Sequence, residues 1–139
     1  MLSSGYGSVM ADFERMADIE RAIAQELTSG RTYAALAALA PDENARKLLL
    51  NFSCQEEEHA KSLAQAYAAL AQMSWRGEPA DAAPGDYREA LRERLLAETD
   101  DYARYAQLSR QAASPRLREL FLRLRDEEAV HAMRLPLLF

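Results

Sequence analysis

The chain has 139 residues, nearly half of them apolar, and a net charge of −5. That length predicts one domain with a buried core, and a composition rich in alanine and leucine predicts an all-α fold. Acidic and basic residues are interspersed, which argues against a nucleic-acid partner. No segment has the roughly 20 apolar residues of a membrane span, and residues 1–10 do not resemble a secretory leader. The single cysteine, Cys54, leaves no intramolecular disulfide, so we expect a cytoplasmic protein.

The first half of the chain predicts a helical hairpin over residues 18–74. Residues 1–16 are weakly patterned, and apolar or small residues three and four apart then mark a helix from Asp18 to Pro41. Asp42 is a typical capping residue for a second helix over 43–74. The linker over 75–86 is marked by glycine and proline.

The second half predicts another hairpin over residues 87–135. Its first helix spans 87–112, and Ser114-Pro115 signals the start of a final helix over 116–134. The inward row predicted for the helix over 87–112 contains Leu91, Leu95, Glu98, Tyr102, Tyr105 and Ser109. Residues 1–139 are therefore predicted to form a single domain.

The two hairpins repeat the same polar residues at a constant offset of 72 positions. Each contains a glutamate, a tyrosine seven residues later, and a Glu-x-x-His motif that begins thirty residues after the glutamate. The members are Glu26, Tyr33, Glu56 and His59 in the first hairpin, and Glu98, Tyr105, Glu128 and His131 in the second. Spacing of three places the carboxylate and imidazole of each motif on one helix face. The doubled pattern predicts four carboxylates and two imidazoles inside a four-helix bundle.

The positions of the predicted turns also bring the two glutamates of each hairpin to the same height. The midpoint between Glu26 and Glu56 is Pro41, and the midpoint between Glu98 and Glu128 is Ala113, so each predicted turn brings its two glutamates level. Eleven extended linker residues reach roughly 36 Å, enough to cross the bundle and leave the second and third helices parallel. An up-down-up-down connection is physically allowed as well, so the sequence alone permits both topologies.

Four carboxylates and two imidazoles suit two divalent cations, because the filled site is close to neutral and can be buried. Oxygen and imidazole donors favour iron or manganese, and zinc is an alternative although structural zinc sites usually contain cysteines. The donor types alone do not choose between iron and manganese.

At these residues the sequence resembles rubrerythrin and its ferritin-like relatives, over about residues 18–134. The resemblance is carried by Glu26 with Tyr33, by Gln55-Glu56-Glu57-Glu58-His59-Ala60-Lys61, by Glu98 with Tyr105, and by Glu128-Ala129-Val130-His131. It implies a ferritin-like bundle of two pseudo-symmetric hairpins joined by a crossover linker. It also implies that Glu26 and His59 hold one iron and that Glu98 and His131 hold the other. Glu56 and Glu128 would bridge the two ions.

The resemblance also assigns three residues around the ligands. Tyr33 and Tyr105 would donate hydrogen bonds to ligating carboxylates. Asp101 stands where relatives often have an extra glutamate ligand, but its side chain is one carbon shorter. A surface acid beside Asp100 is the preferred interpretation of Asp101.

Three departures from the family limit what is implied. Rubrerythrins proper have a rubredoxin domain with four cysteines, so this chain implies a separate electron-donor protein. Bacterioferritins bind haem through a methionine where this chain has Glu57, so no haem is expected. Cage-forming ferritins have a fifth helix, for which Leu135–Phe139 is too short. That tail is expected to cover a bundle end or a dimer contact.

The function implied is that of an oxidoreductase of the rubrerythrin peroxidase type, which reduces hydrogen peroxide or oxygen at the di-iron site. Two alternatives stay open: a ferroxidase or iron-storage protein of the ferritin type, and a non-catalytic helical interaction module. A homodimer or higher oligomer is expected, in which the hairpins could be swapped between protomers.

Overall fold

The computed structural model describes residues 11–139, which form four long helices and two short 3-10 helices. The long helices are α1 (Met16–Leu39), α2 (Glu43–Ala71), α3 (Tyr87–Gln111) and α4 (Pro115–Arg134). The 3-10 helices are Phe13–Arg15 and Leu135–Leu138. The predicted all-α fold of two helical hairpins is confirmed. Residues 1–10, with the predictions made for them as part of the domain and as lacking a leader, lie outside the described residues.

Polar side chains start three of the helices. Asp42 accepts a hydrogen bond from the backbone nitrogen of Ala45 at 2.8 Å, as predicted, and Asp86 caps α3 in the same manner. Ser114 caps α4, and Pro115 occupies its first turn. Each cap satisfies a backbone N–H that the helix itself leaves unpaired.

The segment before α1 is more structured than the sequence predicted. Asp12 is buried, and its carboxylate accepts hydrogen bonds from the backbone nitrogens of Ala113 (2.7 Å) and Ser114 (3.1 Å) in the turn between α3 and α4. The helix then begins at Met16, two residues before the predicted Asp18. Local patterning gave no sign of this contact because its partner lies about a hundred residues further along the chain.

Two apolar cores at opposite ends of the bundle establish the topology. One joins the start of α1, the end of α2, the end of α3 and the start of α4, with members such as Ile19, Leu63, Leu108 and Phe121. The other joins the end of α1, the start of α2, the start of α3 and the 3-10 helix that follows α4, with members such as Leu36, Leu49, Leu91 and Leu135. The end of α2 and the start of α3 therefore lie at opposite ends. The linker crosses the length of the bundle and leaves these two helices parallel.

The linker is held against the bundle as it crosses. The backbone nitrogen of Ala80 donates to the Thr28 hydroxyl on α1 at 3.0 Å. Of the two topologies that the sequence permitted, the crossover is the one adopted. Among the helices of residues 11–139, none combines the length and the apolar character that a bilayer crossing requires.

The inward row predicted for α3 is only partly correct. There Tyr102 is 42% exposed, whereas Asp101 is only 7% exposed. Both the predicted inward position of Tyr102 and the predicted surface position of Asp101 are therefore wrong. The Asp101 carboxylate is paired with Arg104 at 2.9 Å, which permits its burial, and the Tyr102 ring lies against the Arg125 guanidinium at the surface.

Candidate metal centre

The six repeated Glu and His side chains meet between the two apolar cores. Each of the four long helices contributes, and every one of these residues is at most 2% exposed. They are Glu26 on α1, Glu56 and His59 on α2, Glu98 on α3, and Glu128 and His131 on α4. The structure thus brings together the whole set that the 72-residue repeat predicted.

These side chains form two overlapping sets of four. One contains Glu26, Glu56, His59 and Glu128, and the other contains Glu56, Glu98, Glu128 and His131. Within each set, one donor atom per residue lies within 4.8 Å of the others. The two imidazole rings are nearly parallel, with centroids 6.0 Å apart. Glu56 and Glu128 belong to both sets, so they are placed to bridge two cations.

Both histidines turn the Nδ1 atom towards the carboxylates. His59 Nδ1 lies 3.3 Å from Glu26 Oε2 and 3.2 Å from Glu128 Oε1. His131 Nδ1 lies 2.9 Å from Glu56 Oε1 and 3.5 Å from Glu98 Oε2. In each ring Nδ1 is therefore the atom that can donate to a cation, while Nε2 faces a residue outside the cluster.

The two tyrosines join the hairpins in a reciprocal manner. Tyr33 of the first hairpin donates its hydroxyl to Glu98 of the second at 2.6 Å, and Tyr105 of the second donates to Glu26 of the first at 2.6 Å. Both tyrosines are buried. The geometry places their hydroxyls on the two carboxylates that each belong to one set alone, which fixes the orientation of those side chains.

Burial and crowding make protonation of the cation-free cluster favourable. Burial and the charge of Glu26 raise the pKa of Glu128 to about 9, although a hydrogen bond from His59 lowers it. Burial, with the charges of Glu26 and Glu128, also raises the pKa of Glu56 well above its ordinary value. Burial would lower the pKa of His59, but hydrogen bonds to Glu128 and Glu26 raise it to about 10. Protons thus supply the positive charge that four buried carboxylates require.

The opposite shift occurs at Glu98. Burial favours its neutral form, but the hydrogen bond and charge of His131, followed by the charge of Arg94, lower the pKa of Glu98 to about 2. This carboxylate is therefore ionised over the whole physiological range.

The cluster fits divalent cations. Across residues 11–139, the buried oxygens without a hydrogen-bond partner include Oε2 of Glu56 and Oε2 of Glu128, the two shared carboxylates. Unpaired buried oxygens are costly unless a cation or a proton satisfies them. Two divalent cations balance four carboxylates, and the carboxylate and imidazole donors suit iron, manganese or zinc. Glu26 with His59 would hold one cation, Glu98 with His131 the other, and the shared glutamates both.

Sequence reasoning missed three residues that contact the ligands from outside. Gln55 Oε1 makes a short contact with His131 Nε2, and Glu127 Oε2 lies 3.4 Å from His59 Nε2. Arg94 donates to Glu98 Oε1 at 3.1 Å and lies over the Tyr33 ring. A signal existed for the first two, since Gln55 and Glu127 precede the shared glutamates and are themselves 72 residues apart.

Asp101 lies beside the centre, in a cleft of about 490 Å³ between α1 and α3. Ser29, Arg94 and Arg104 also line this cleft. Burial raises the pKa of Asp101 to about 6, with Arg104 acting in the opposite direction and Glu26 in the same one. Neither set of four includes Asp101. None of the six clustered Glu and His residues lines this cleft, and the role of Asp101 as an extra ligand stays a prediction.

A crossover four-helix bundle with a buried carboxylate and histidine cluster defines the class of ferritin-like proteins. The second hairpin gives the closer assignment, since the rubrerythrin family model matches residues 89–139. This part of the chain is therefore similar to rubrerythrin, in agreement with the resemblance that the residue pattern indicated. Searches among curated proteins and among solved structures found no match.

Proposed function

We propose that this protein is a non-haem di-iron oxidoreductase that reduces hydrogen peroxide, or oxygen, with electrons from a separate donor protein. The observation that carries the proposal is the pair of overlapping donor sets that share Glu56 and Glu128. When bound, two adjacent iron ions supply two electrons, one each, so that peroxide, two electrons and two protons give two molecules of water.

The side chains around the cluster have distinct tasks in this proposal. Tyr33 and Tyr105 hold the two unshared carboxylates in place, and the apolar cores above and below keep bulk water from the centre. In this proposal, the cleft that Asp101 lines is the side from which a molecule as small as peroxide enters. Asp101, with a pKa of about 6, can hold or release a proton near neutral pH at that approach.

The proposal includes a compartment and an assembly. The single free cysteine, Cys54, is exposed and is compatible with a reducing cytoplasm. Exposed apolar side chains on α4 and the tail, such as Met133, Leu137 and Phe139, support a homodimer or higher oligomer.

The proposal is tested by preparing the diferrous protein anaerobically and mixing it with hydrogen peroxide and, in a separate experiment, with oxygen. Fast oxidation by peroxide, with multiple turnovers when a reductant is supplied and no retained ferric mineral, supports it. Preferred reaction with oxygen and accumulation of ferric mineral in a large assembly would instead establish the ferroxidase alternative. A purified protein that binds no metal, and whose melting temperature is unchanged by chelators, would indicate the non-catalytic module. His131→Ala, which removes one ligand, is the matched inactive variant.

A further inference from the structure

The two half-sites of the cluster have the same ligands but different surroundings. We name Glu26 with His59 the first half-site, and Glu98 with His131 the second. The 72-residue repeat relates them, and their tyrosine contacts are equal at 2.6 Å. A difference between the half-sites must therefore come from residues at which the repeat is broken.

The first break lies at the outer nitrogens of the histidines. Each Nε2 faces the residue that precedes the shared glutamate of the other hairpin. For His59 that residue is Glu127, a carboxylate at 3.4 Å, and for His131 it is Gln55, a neutral amide. Within residues 11–139 no hydrogen bond joins Glu127 to His59, but a carboxylate charge 3.4 Å from the ring makes Nδ1 a stronger donor to a cation than a neutral amide does. This contact therefore strengthens the first half-site.

The second break lies at the unshared carboxylates. Arg94, whose side chain is 13% exposed, donates to Glu98 at 3.1 Å. The position 72 residues earlier is the buried Ala22, so Glu26 has no arginine from that position. A guanidinium withdraws electron density from the carboxylate that it contacts and repels a nearby cation. This contact therefore weakens the second half-site.

Asp101 does not reverse the difference. It lies near both Glu26 and Glu98, and its charge is offset by the Arg104 guanidinium at 2.9 Å. The position 72 residues before it is Ser29, which is neutral. The breaks at Glu127 and Arg94 thus act in the same direction, each making the first half-site more negative by one charge than the second.

We propose that the two cation positions are unequal, and that Glu127 and Arg94 set the order in which they fill. This inference rests on the proposed two-metal function. The first half-site takes the first divalent cation, and the second holds the weaker and more exchangeable one. Contacts outside the ligand sphere commonly change metal affinity by about 10- to 100-fold, so we expect at least a tenfold preference. The same order would allow a centre with two different metals to be prepared by sequential addition.

Occupancy at low stoichiometry is the decisive measurement. Two sites of equal intrinsic affinity that share ligands can also fill in two steps. A calorimetric titration curve alone therefore does not distinguish equal sites from unequal ones. We would add one equivalent of Co²⁺ to the metal-free protein and measure both occupancies from anomalous scattering in the crystal. An occupancy ratio of about ten or more in favour of Glu26 and His59 is expected. Equal occupancies, or a preference for Glu98 and His131, would overturn the inference.

Variants that restore the repeat test its cause. Glu127→Gln copies Gln55, and Arg94→Met removes the cation while keeping an unbranched apolar chain. The double variant should bring the Co²⁺ occupancy ratio close to one. The controls are Asp126→Asn and Arg92→Met, which remove exposed charges from the same two helices and should leave the ratio unchanged.

The outcomes separate this inference from the proposed function. A double variant that keeps the wild-type ratio would overturn the role of Glu127 and Arg94. If the double variant does not fold, Gln55→Glu provides an independent test, because it gives His131 the same outer contact as His59 and should lower the ratio several-fold. Protein that binds no Co²⁺ at either half-site would contradict the proposed function itself, whereas two equally filled half-sites would contradict this inference alone.

Discussion

Replacement of Glu128 by glutamine should stabilise the metal-free protein. The folded-state pKa of this carboxyl is about 9, against an ordinary value of 4.5. At pH 7 the side chain is therefore protonated when folded and ionised when unfolded. Folding must therefore take up one proton at pH 7. This uptake opposes folding by about 1.4 kcal/mol for each pH unit between the unfolded pKa and pH 7, or about 3 kcal/mol in total. Glutamine has nearly the same shape and is neutral in both states, so Glu128→Gln removes this contribution.

The sign of the pH dependence follows from the direction of the shift. A carboxyl whose pKa is raised by folding gives its full stability below the unfolded pKa, and that stability is lost as the pH rises towards the folded pKa. The advantage of Glu128→Gln should therefore be below about 1 kcal/mol at pH 5, about 3 kcal/mol at pH 7 and about 6 kcal/mol near pH 9. At pH 7 this corresponds to a melting temperature higher by about 10 °C for a chain of this size.

The assay is thermal and urea unfolding of chelator-treated protein, followed by circular dichroism at the three pH values. Glu119→Gln, at an exposed position of the same helix, is the control and should change stability by less than about 0.5 kcal/mol. With metal added, the parent should be more stable than Glu128→Gln, because glutamine is a poorer metal ligand than the carboxylate. A metal-free Glu128→Gln protein that melts at or below the parent at pH 7, or an advantage that does not grow with pH, would refute the burial argument.

Four further outcomes are expected. Metal loading at pH 7 should release at least two protons, from Glu128 and His59, with a further contribution from Glu56, as measured by calorimetry in buffers of different ionisation enthalpy; uptake of protons would contradict this. His59→Ala and His131→Ala should each bind about one cation by elemental analysis while keeping the helical circular dichroism, and unchanged stoichiometry would exclude that histidine as a ligand. Tyr105→Phe should destabilise the metal-free protein by about 1–3 kcal/mol in urea unfolding, because a buried Glu26 oxygen loses its hydrogen-bond donor. An unchanged free energy of unfolding would disprove that hydrogen bond. Gly30→Ala should stabilise the metal-free protein by about 0.5–1 kcal/mol in urea unfolding, because alanine favours a helix and the atoms nearest to its added Cβ are 3.4 Å away. A loss of stability would indicate that α1 and α2 cannot move apart to accommodate the Cβ.

The sequence by itself determined the helices, the hairpins and the six clustered side chains. Helical periodicity is a local property, so the spacing of three in each Glu-x-x-His motif placed its carboxylate and imidazole on one face of α2 and of α4. The doubled spacing then related the two hairpins, and the turn at Pro41 fixed the height of Glu26 against Glu56. None of these inferences needed to know how one hairpin is rotated against the other.

The tertiary structure decided what depends on that rotation. An inward helix face is about 100° wide, so Asp101 and Tyr102 both lay at its margins, and the packing of α3 against the other helices decided which of them was buried. The crossover required knowing where α3 begins relative to the end of α2, because the linker is long enough for either topology. The outer contacts of the histidines likewise join residues more than sixty positions apart. Such contacts arise only after the helices pack, since side-chain reach between helices is set by their rotation and separation rather than by spacing along the chain.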